Sequence, residues 1–146
     1  MTDDDGHPPA VLVSNRQPVP IDEDSLVTLA RETLRAEDVT EAELSVSFVD
    51  ENEMAELHER YMGEPGPTDV LSFPLHERDD RGLTVLGDVV IAPSVAARNH
   101  PANPAAELRL LLVHGILHIL GYDHEEEAGR TEMWARQERY SGVSVP

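Results

Sequence analysis

The segment from residue 110 to residue 120 constrains the fold most, because it is apolar apart from two histidines and one glycine. A helix that is apolar on nearly all sides is buried, so we predict that this segment forms a helix at the centre of the protein. His114 and His118 are four positions apart and therefore share one face of that helix. A buried imidazole needs a polar partner or a metal ion. The apolar side chains of the segment are Leu110, Leu111, Leu112, Val113, Ile116, Leu117, Ile119 and Leu120.

A third histidine extends the pair into the pattern H-x-x-x-H-x-x-G-x-x-H, which ends at His124. Gly121 can adopt a left-handed backbone conformation, end the helix and let the chain bring His124 back to the same point. Three neutral imidazoles with a fourth position open are typical of a catalytic zinc ion rather than a structural one. The alternative is that these are core or surface histidines of an amphipathic helix. The pattern and its apolar neighbours favour His114, His118 and His124 as metal ligands.

The pattern overlaps the zinc-protease motif H-E-x-x-H-x-x-G-x-x-H but lacks its glutamate. Position 115 is glycine, where those proteases carry the general base for peptide hydrolysis. The substitution favours a different substrate, or a base from elsewhere in the chain. Asp123, beside a ligand, is the first candidate for that base. Its alternative roles are to orient a histidine ring or to cap the next helix.

Hydrophobic periodicity and turn residues predict the other elements. Strands are predicted at residues 10–15, 43–50, 69–73 and 86–92, and helices at residues 22–34, 50–61, 93–99, 103–120 and 125–140. Asp22 and Asn103 are predicted caps, and residues 50–53 have a capping-box pattern. The order predicts an α+β fold: a small mixed sheet packed on helices, with the apolar helix that carries the HxxxH metal site at the centre.

Finer expectations concern individual segments and side chains. We expect Pro74 to end the third strand and residues 75–82 to form an acidic connecting loop. Five apolar side chains are expected to face inward from two helices: Met54, Leu57, Tyr61, Met133 and Trp134. Four histidines show no ligand spacing and are expected at the surface: His7, His58, His76 and His100.

Three segments of the chain resemble the YbeY family of bacterial endoribonucleases. The string HGILHILGYDH, residues 114–124, resembles the family signature H-G-x-L-H-x-x-G-Y-D-H. Residues 66–74 are similar to its P-T-[DN]-V-L-S-F-P segment, and residues 86–92 to its G-D-[IV]-x-I segment. The resemblance runs from roughly Val46 to Arg139. Three separate segments in the family's order are far more specific than the histidines alone.

The resemblance implies a cytoplasmic zinc-dependent endoribonuclease that cleaves single-stranded RNA, with nickel as an alternative ion in the purified protein. It implies roles in ribosomal RNA maturation, notably at the 3′ end of the small-subunit RNA, and in ribosome quality control. Single-stranded or ribosomal RNA and the ribosome or ribosome-associated proteins would then be its partners. By the same match, His114, His118 and His124 are the metal ligands.

One position departs from the family pattern. The family often carries an arginine after the tyrosine that precedes the P-T-D segment, and here that position is Met62. Arg60, two positions earlier, is the candidate replacement as a phosphate-binding cation. The alternative is that Arg60 is a solvated helix residue.

Length and composition suit a single intracellular domain. We expect residues 1–9 to be a disordered acidic tail and residues 10–142 to be one metal-dependent hydrolase domain. The absence of cysteine excludes disulfides and thiolate metal sites and agrees with a reducing compartment. No apolar stretch is long enough to span a bilayer, and the N-terminus lacks the features of a signal peptide. We therefore expect a cytoplasmic protein without a membrane partner.

The net charge of −18, from 29 acidic and 11 basic residues, argues against a nucleic-acid partner. A negative net charge and an RNA partner are compatible if the acidic residues lie on surfaces away from the site. Residues 92–124 are closer to neutral, which agrees with this explanation. A bound divalent cation also adds positive charge where a phosphate would dock. We therefore predict weak, strongly salt-dependent affinity for naked RNA, with a partner or the ribosome supplying much of the binding.

Two other functions remain open from the sequence. A metalloprotease-like zinc hydrolase would use the same ligands, but Gly115 in place of the glutamate counts against it. A non-catalytic, ribosome-associated module with a structural metal is favoured by the acidic charge. The open three-histidine site counts against this second alternative.

Overall fold

Local sequence signals place four strands and five helices in the predicted order. The structure, a computed structural model, describes residues 8–122 and 126–144. The strands are β1 (Ala10–Arg16), β2 (Ala42–Val49), β3 (Val70–Arg78) and β4 (Thr84–Ile91). The helices are α1 (Glu23–Ala36), α2 (Glu51–Met62), α3 (Pro93–Asn99), α4 (Pro104–Ile119) and α5 (Glu127–Ser141).

Capping residues begin three of the helices where the sequence predicts them. Asp22, Asp50 and Asn103 each accept a hydrogen bond from the backbone N–H three positions later, at 3.2, 2.8 and 3.1 Å. These bonds satisfy donors that the first turn of a helix leaves without an intrahelical partner. The Glu53 carboxylate, expected to complete the capping box of α2, lies 2.6 Å from the Arg16 guanidinium and so joins α2 to β1.

The strands form one mixed sheet in the order β1-β2-β4-β3. β1, β2 and β4 are parallel, and β3 is antiparallel to β4. Parallel neighbours need a crossover connection, which α1 provides between β1 and β2. The predicted α+β class with a small mixed sheet is confirmed.

Different helices cover the two faces of this sheet. On one face, Phe48 of β2 and Val89 of β4 belong to the same buried cluster as Ile116 of α4. On the opposite face, Val90 of β4 belongs to a cluster with Met54 of α2. α4 also contacts α1, α3 and α5, so it is enclosed by the sheet and three helices. The central position predicted for this helix is confirmed.

The third strand is longer than predicted. β3 continues through Pro74 to Arg78, so the prediction that Pro74 ends the strand and that residues 75–82 form a loop is wrong. β3 has a neighbour only on its β4 side, and an edge strand tolerates proline because its outer edge needs no N–H donor. The pairing register shifts between Pro74 and Glu77, where His76 has a φ of 57°. A bulge therefore carries the strand past the proline.

Two aromatic side chains predicted to face the core are exposed. Tyr61 is 57% exposed and Trp134 is 52% exposed, whereas Met133 is fully buried. Consecutive residues of a helix point about 100° apart, so Met133 and Trp134 cannot share one inward direction. The inward face of α5 instead continues from Met133 to Gln137.

The predicted division into a tail and a domain stays a prediction. Residues 1–7 lie outside the described residues, and β1 begins at Ala10. In the part of the chain that the structure describes, no helix combines the length and apolarity needed to cross a membrane.

Candidate metal centre

The two histidines of α4 lie side by side on one face of the helix. Their ring centroids are 4.6 Å apart, and the ring planes meet at 76°. This closeness follows from the four-residue spacing, because residues i and i+4 are stacked one turn apart. The two rings are therefore adjacent, as the spacing predicts, and their binding of one ion stays a prediction.

A glutamine on α5 contacts the first of these histidines. Gln137 Oε1 lies 2.7 Å from His114 Nδ1, and Gln137 is only 5% exposed. An amide oxygen can only accept, so His114 Nδ1 is the donor in this contact. Metal-binding histidines usually donate their other ring N–H to such an acceptor.

Sequence reasoning missed Gln137, although the sequence holds a signal for it. Met133 is apolar and faces inward, and Gln137 follows it by four positions on the same helix face. A polar residue four positions after a buried one shares its helix face, and if that residue is an amide inside the protein it needs a partner.

Packing against the sheet explains the glycine between the histidines. A Cβ atom at Gly115 would lie 2.7 Å from Cγ1 of Val89 and 3.2 Å from Oγ of Ser72. Val89 is a fully buried residue of β4, and its branched side chain has little freedom to move. The Ser72 hydroxyl donates to the Gly115 carbonyl oxygen at 3.2 Å. The helix therefore touches the sheet where the zinc proteases carry their glutamate.

The end of α4 has the predicted glycine geometry. Gly121 has a φ of 104°, in the region that favours glycine. Backbone bonds of 3.0 Å run from Gly121 N–H to the His118 carbonyl and from Tyr122 N–H to the Leu117 carbonyl. These bonds satisfy carbonyls that the helix end leaves without partners.

The remaining predicted ligand and the candidate base lie outside the described residues. These are His124 and Asp123, which follow Tyr122 directly in the chain. Within residues 8–122 and 126–144, no group of three histidine or acidic side chains is placed to hold a metal ion. The three-histidine site therefore stays a prediction, of which the structure describes the first two members.

A buried carboxylate binds the residue that follows Gly121. Glu37, at the end of α1, has a side chain only 7% exposed. The Tyr122 hydroxyl donates to its Oε1 at 2.6 Å. Arg136 donates to its Oε2 at 2.6 Å, and the Tyr140 hydroxyl donates to the same oxygen. This cluster, the Glu37 cluster, joins α1, the end of α4 and α5.

Charge and burial shift the pKa values of the Glu37 cluster. Burial raises the pKa of Glu37, but the hydrogen bonds from Tyr122, Tyr140 and Arg136 outweigh it and hold that pKa below its ordinary value. Burial and the bond to the Glu37 carboxylate raise the pKa of Tyr122 to about 12. Near neutral pH, the cluster therefore holds an ionised carboxylate between neutral tyrosines and a guanidinium.

Arg60 lies on a helix that packs against the other face of the sheet. It is exposed near the end of α2, with its guanidinium carbon 5.9 Å from the centroid of the Tyr61 ring. It forms no ion pair with any residue of the described ranges. Its role as a phosphate-binding cation stays a prediction.

The other described histidines have backbone partners of their own. The ring of His58 lies 2.8 Å from the Gly66 carbonyl oxygen and is mostly buried. His76 is exposed overall, but its Nε2 lies 2.7 Å from the Ile119 carbonyl oxygen at the end of α4. His100 is exposed, as expected, and His7 lies outside the described residues. His58 lies between surface and core, with its side chain 14% exposed, so its expected surface position is met only in part.

The donors that the structure describes fit a zinc ion. Both are imidazole side chains on one helix face, and Gln137 Oε1 lies within hydrogen-bonding distance of His114 Nδ1. Zinc accepts imidazole nitrogen readily, and catalytic zinc sites commonly have three protein ligands.

Comparison with known proteins gives the same family for the family model and for the relatives. A family model described as Endoribonuclease YbeY matches residues 12–142. A relative from Thermobifida fusca is 51% identical, over 88% of this chain and 89% of the relative. A relative from Acidothermus cellulolyticus is 50% identical, over 87% of this chain and 86% of the relative. Both relatives are named Endoribonuclease YbeY.

A solved structure supports the fold. The solution structure of TM1509 from Thermotoga maritima matches with a TM-score of 0.58 and 30% sequence identity. The match covers 90% of this chain and 86% of that one. The arrangement of sheet and helices described above is therefore shared with an experimentally determined protein.

Proposed function

The chain belongs to the Endoribonuclease YbeY family, and from that premise we propose that it is a zinc-dependent endoribonuclease that cleaves single-stranded RNA. His114, His118 and His124 are the proposed metal ligands. The substrates we propose are ribosomal RNA precursors, notably at the 3′ end of the small-subunit RNA. The protein would act in the cytoplasm with the ribosome or its associated proteins.

The observation that carries this proposal is the orientation of the histidine pair. The rings of His114 and His118 are adjacent, and Gln137 accepts a hydrogen bond from His114 Nδ1 at 2.7 Å. A neutral imidazole that donates from Nδ1 has its lone pair on Nε2, which is the form that a metal ligand requires.

Two side chains of the chain are proposed to assist cleavage beside the metal ion, one in proton transfer and one in phosphate binding. A zinc ion with an open coordination position would supply Lewis acidity towards a phosphodiester group and would lower the pKa of a water molecule. Asp123 is the proposed general base or acid, because it is next to a ligand in the sequence. Arg60 is the proposed phosphate contact, because its guanidinium is exposed and unpaired with any described carboxylate.

The basic residues suit phosphate recognition better than the net charge suggests. All 11 are arginine, whose planar guanidinium binds phosphate through two hydrogen bonds. Four of them are in ion pairs with carboxylates: Arg16, Arg81, Arg98 and Arg136. The other seven form no ion pair within the described residues, but the chain carries 29 acidic residues in all, so binding to naked RNA would be weak and salt-dependent. The ribosome or a partner protein would supply the remaining affinity.

The structure disfavours the metalloprotease alternative on a physical ground. The general base of those proteases would occupy position 115, and a Cβ there would lie 2.7 Å from Val89. A glutamate cannot enter this contact without moving the helix or the sheet. The chain thus lacks both the residue and the space for it.

The first test is cleavage of a labelled single-stranded RNA by zinc-loaded protein, beside His118→Ala purified in the same way. We expect the wild type to cleave and the variant to fall to background, because one ligand has been removed. His100→Ala is the matched control, since it removes an exposed histidine at the end of α3 and should keep the wild-type rate.

Equal cleavage by the wild type and His118→Ala would contradict the proposal and would indicate a contaminating nuclease. Absence of cleavage by both, with a ribosomal RNA precursor in the ribosome tested as substrate, would also contradict it. A chelator should abolish cleavage while leaving most of the helical circular dichroism, because the ion is proposed to be catalytic rather than structural.

A further inference from the structure

The inner face of α5 carries polar side chains where a core would be apolar. Gln137 and Ser141 are 5% and 4% exposed, and they continue the four-residue spacing that begins at the fully buried Met133. Ser141 Oγ donates to the Gln137 carbonyl oxygen within the helix. The Gln137 side chain instead reaches out of α5 to His114 of α4. Burying an amide is costly unless it is hydrogen-bonded, so this contact determines where the amide can lie.

Packing on both sides holds Gln137 in place. Met133, one turn before it, shares a buried cluster with Val113 and Leu117 of α4. Arg136, next to it, donates to the Glu37 carboxylate of α1. α5 is therefore fixed to α4 by apolar contacts and to α1 by the Glu37 cluster. A side chain on a helix that is held in this way can select one ring orientation in its neighbour.

The contact also selects one tautomer of the histidine. A neutral imidazole carries its proton on only one of its two nitrogens. A hydrogen-bond acceptor beside one nitrogen favours the tautomer that has the proton on that nitrogen. With Gln137 Oε1 2.7 Å from Nδ1, the Nδ1–H form is favoured, and the Nε2–H form would place two lone pairs against each other. The favoured form is the one that presents Nε2 as a metal donor.

We propose that Gln137 is a positioning residue for the metal centre: by accepting from His114 Nδ1, it fixes the tautomer and ring orientation with which His114 binds the ion. This role rests on the proposed function, because it requires His114 to be a ligand. Gln137 touches neither the substrate nor the ion. It acts through the histidine.

The test combines two measurements on the wild type and its variants at about pH 8, where an unperturbed histidine is neutral. Nitrogen NMR of the metal-free protein reports the tautomer of His114, and competition with a chelator reports zinc affinity. Gln137→Met keeps the length of the side chain but removes the acceptor. Gln137→Glu keeps an acceptor oxygen.

We expect His114 in the Nδ1–H form in the wild type and in Gln137→Glu, and a mixture of forms in Gln137→Met. Zinc affinity should fall about 10- to 100-fold in Gln137→Met and should be retained in Gln137→Glu. Ser141→Ala is the control for a purely structural effect. It removes a buried hydrogen bond from the same helix face without touching the histidine, and it should leave zinc affinity unchanged.

Three results would overturn this role and leave the proposed metal centre standing. One is the Nε2–H form of His114 in a wild type that binds zinc. Another is unchanged zinc affinity in a folded Gln137→Met, with folding checked by thermal unfolding of the metal-free protein. The third is an equal loss of zinc affinity in Ser141→Ala and Gln137→Met, which would mean that Gln137 affects the ion only through the packing of α5. A wild type that binds zinc no better than His118→Ala would instead overturn the proposed metal centre itself.

Discussion

The two sides of α4 serve the candidate site in different ways. On the side that faces α5, His114 meets Gln137 through one hydrogen bond of 2.7 Å. On the side that faces the sheet, Gly115 has no side chain because Val89 and Ser72 occupy the space. Two neighbouring residues of one motif are therefore held by different interactions, His114 by a hydrogen bond to a buried amide and Gly115 by close packing.

This difference changes the meaning of the missing glutamate. From the sequence, Gly115 indicates only that a protease base is absent. The structure adds that a side chain at this position would push α4 away from β4, and with it the histidines that α4 carries. Close-packed interiors transmit such displacements because few voids can absorb them. The glycine thus helps to set the position of the histidine pair.

The largest expected effect follows from filling the sheet side. Gly115→Glu would force a long acidic side chain into contact with a buried valine, so we expect a protein that does not fold, measured by circular dichroism and denaturant unfolding. Gly115→Ala is the milder change. It should lower the free energy of unfolding, because overpacking of about 1–3 kcal/mol exceeds the gain of about 1 kcal/mol in helix propensity.

A double-mutant cycle with Val89→Ala sharpens this prediction. Val89→Ala removes the atom 2.7 Å from the added Cβ, so the Gly115→Ala penalty should largely disappear in the double variant. Two residues in contact should show a coupling energy of about 0.5–3 kcal/mol. A Gly115→Glu protein as stable as the wild type, or additive effects in the cycle, would show that packing does not limit this position.

A second prediction concerns the side of α4 that faces α5. The Glu37 cluster joins α5 to α1, and its contribution to the free energy of unfolding should depend on pH. The pKa of Glu37 is lowered in the folded protein, so its contribution to stability is present above the unfolded pKa of about 4.3 and is lost as the pH falls through the folded value. Glu37→Gln removes this contribution. The difference in the free energy of unfolding between the wild type and Glu37→Gln should therefore be largest above about pH 5 and should shrink on acidification.

The other groups that face Glu37 do not titrate in this acidic range. The pKa values of Tyr122 and Tyr140 are raised, and Arg136 stays charged. Glu132 also binds Arg136, but it is present in both proteins and its direct effect cancels to first order in the difference. The unfolded pKa of about 4.3 lies between pH 3 and pH 7. If the difference in the free energy of unfolding between the two proteins stayed constant from about pH 3 to about pH 7, the assigned direction of the Glu37 pKa shift would be contradicted.

Features encoded within a few residues of one another could be predicted from the sequence. The caps Asp22 and Asn103 fix where two helices begin, and the four-residue spacing of His114 and His118 fixes their common face. Gly121 shows the predicted left-handed conformation for the same reason. Each of these depends on backbone geometry that is the same in every protein.

Features that depend on neighbours distant in the sequence could not be predicted in this way. β3 runs through Pro74 because it is an edge strand, and strand order is a property of the whole sheet. Trp134 is exposed although it is large and apolar, because α5 presents Met133 and Gln137 to α4 instead. Val89 blocks position 115 from another strand. In each case, the deciding contact comes from a different element.

The smallest expected effect returns to the sheet side, at Ser72. Its hydroxyl donates to the Gly115 carbonyl at 3.2 Å, so Ser72→Ala should lower the free energy of unfolding by about 1 kcal/mol. Zinc affinity should not change, since this contact holds the helix backbone rather than a ligand ring. Ser72 Oγ is also 3.2 Å from the position of an added Cβ at residue 115, so Ser72→Ala should relieve Gly115→Ala less than Val89→Ala does. A loss of zinc affinity in Ser72→Ala as large as that expected in Gln137→Met would mean that both sides of α4 orient the proposed ligands. The distinction between a sheet side that only packs the helix and an α5 side that orients His114 would then be wrong.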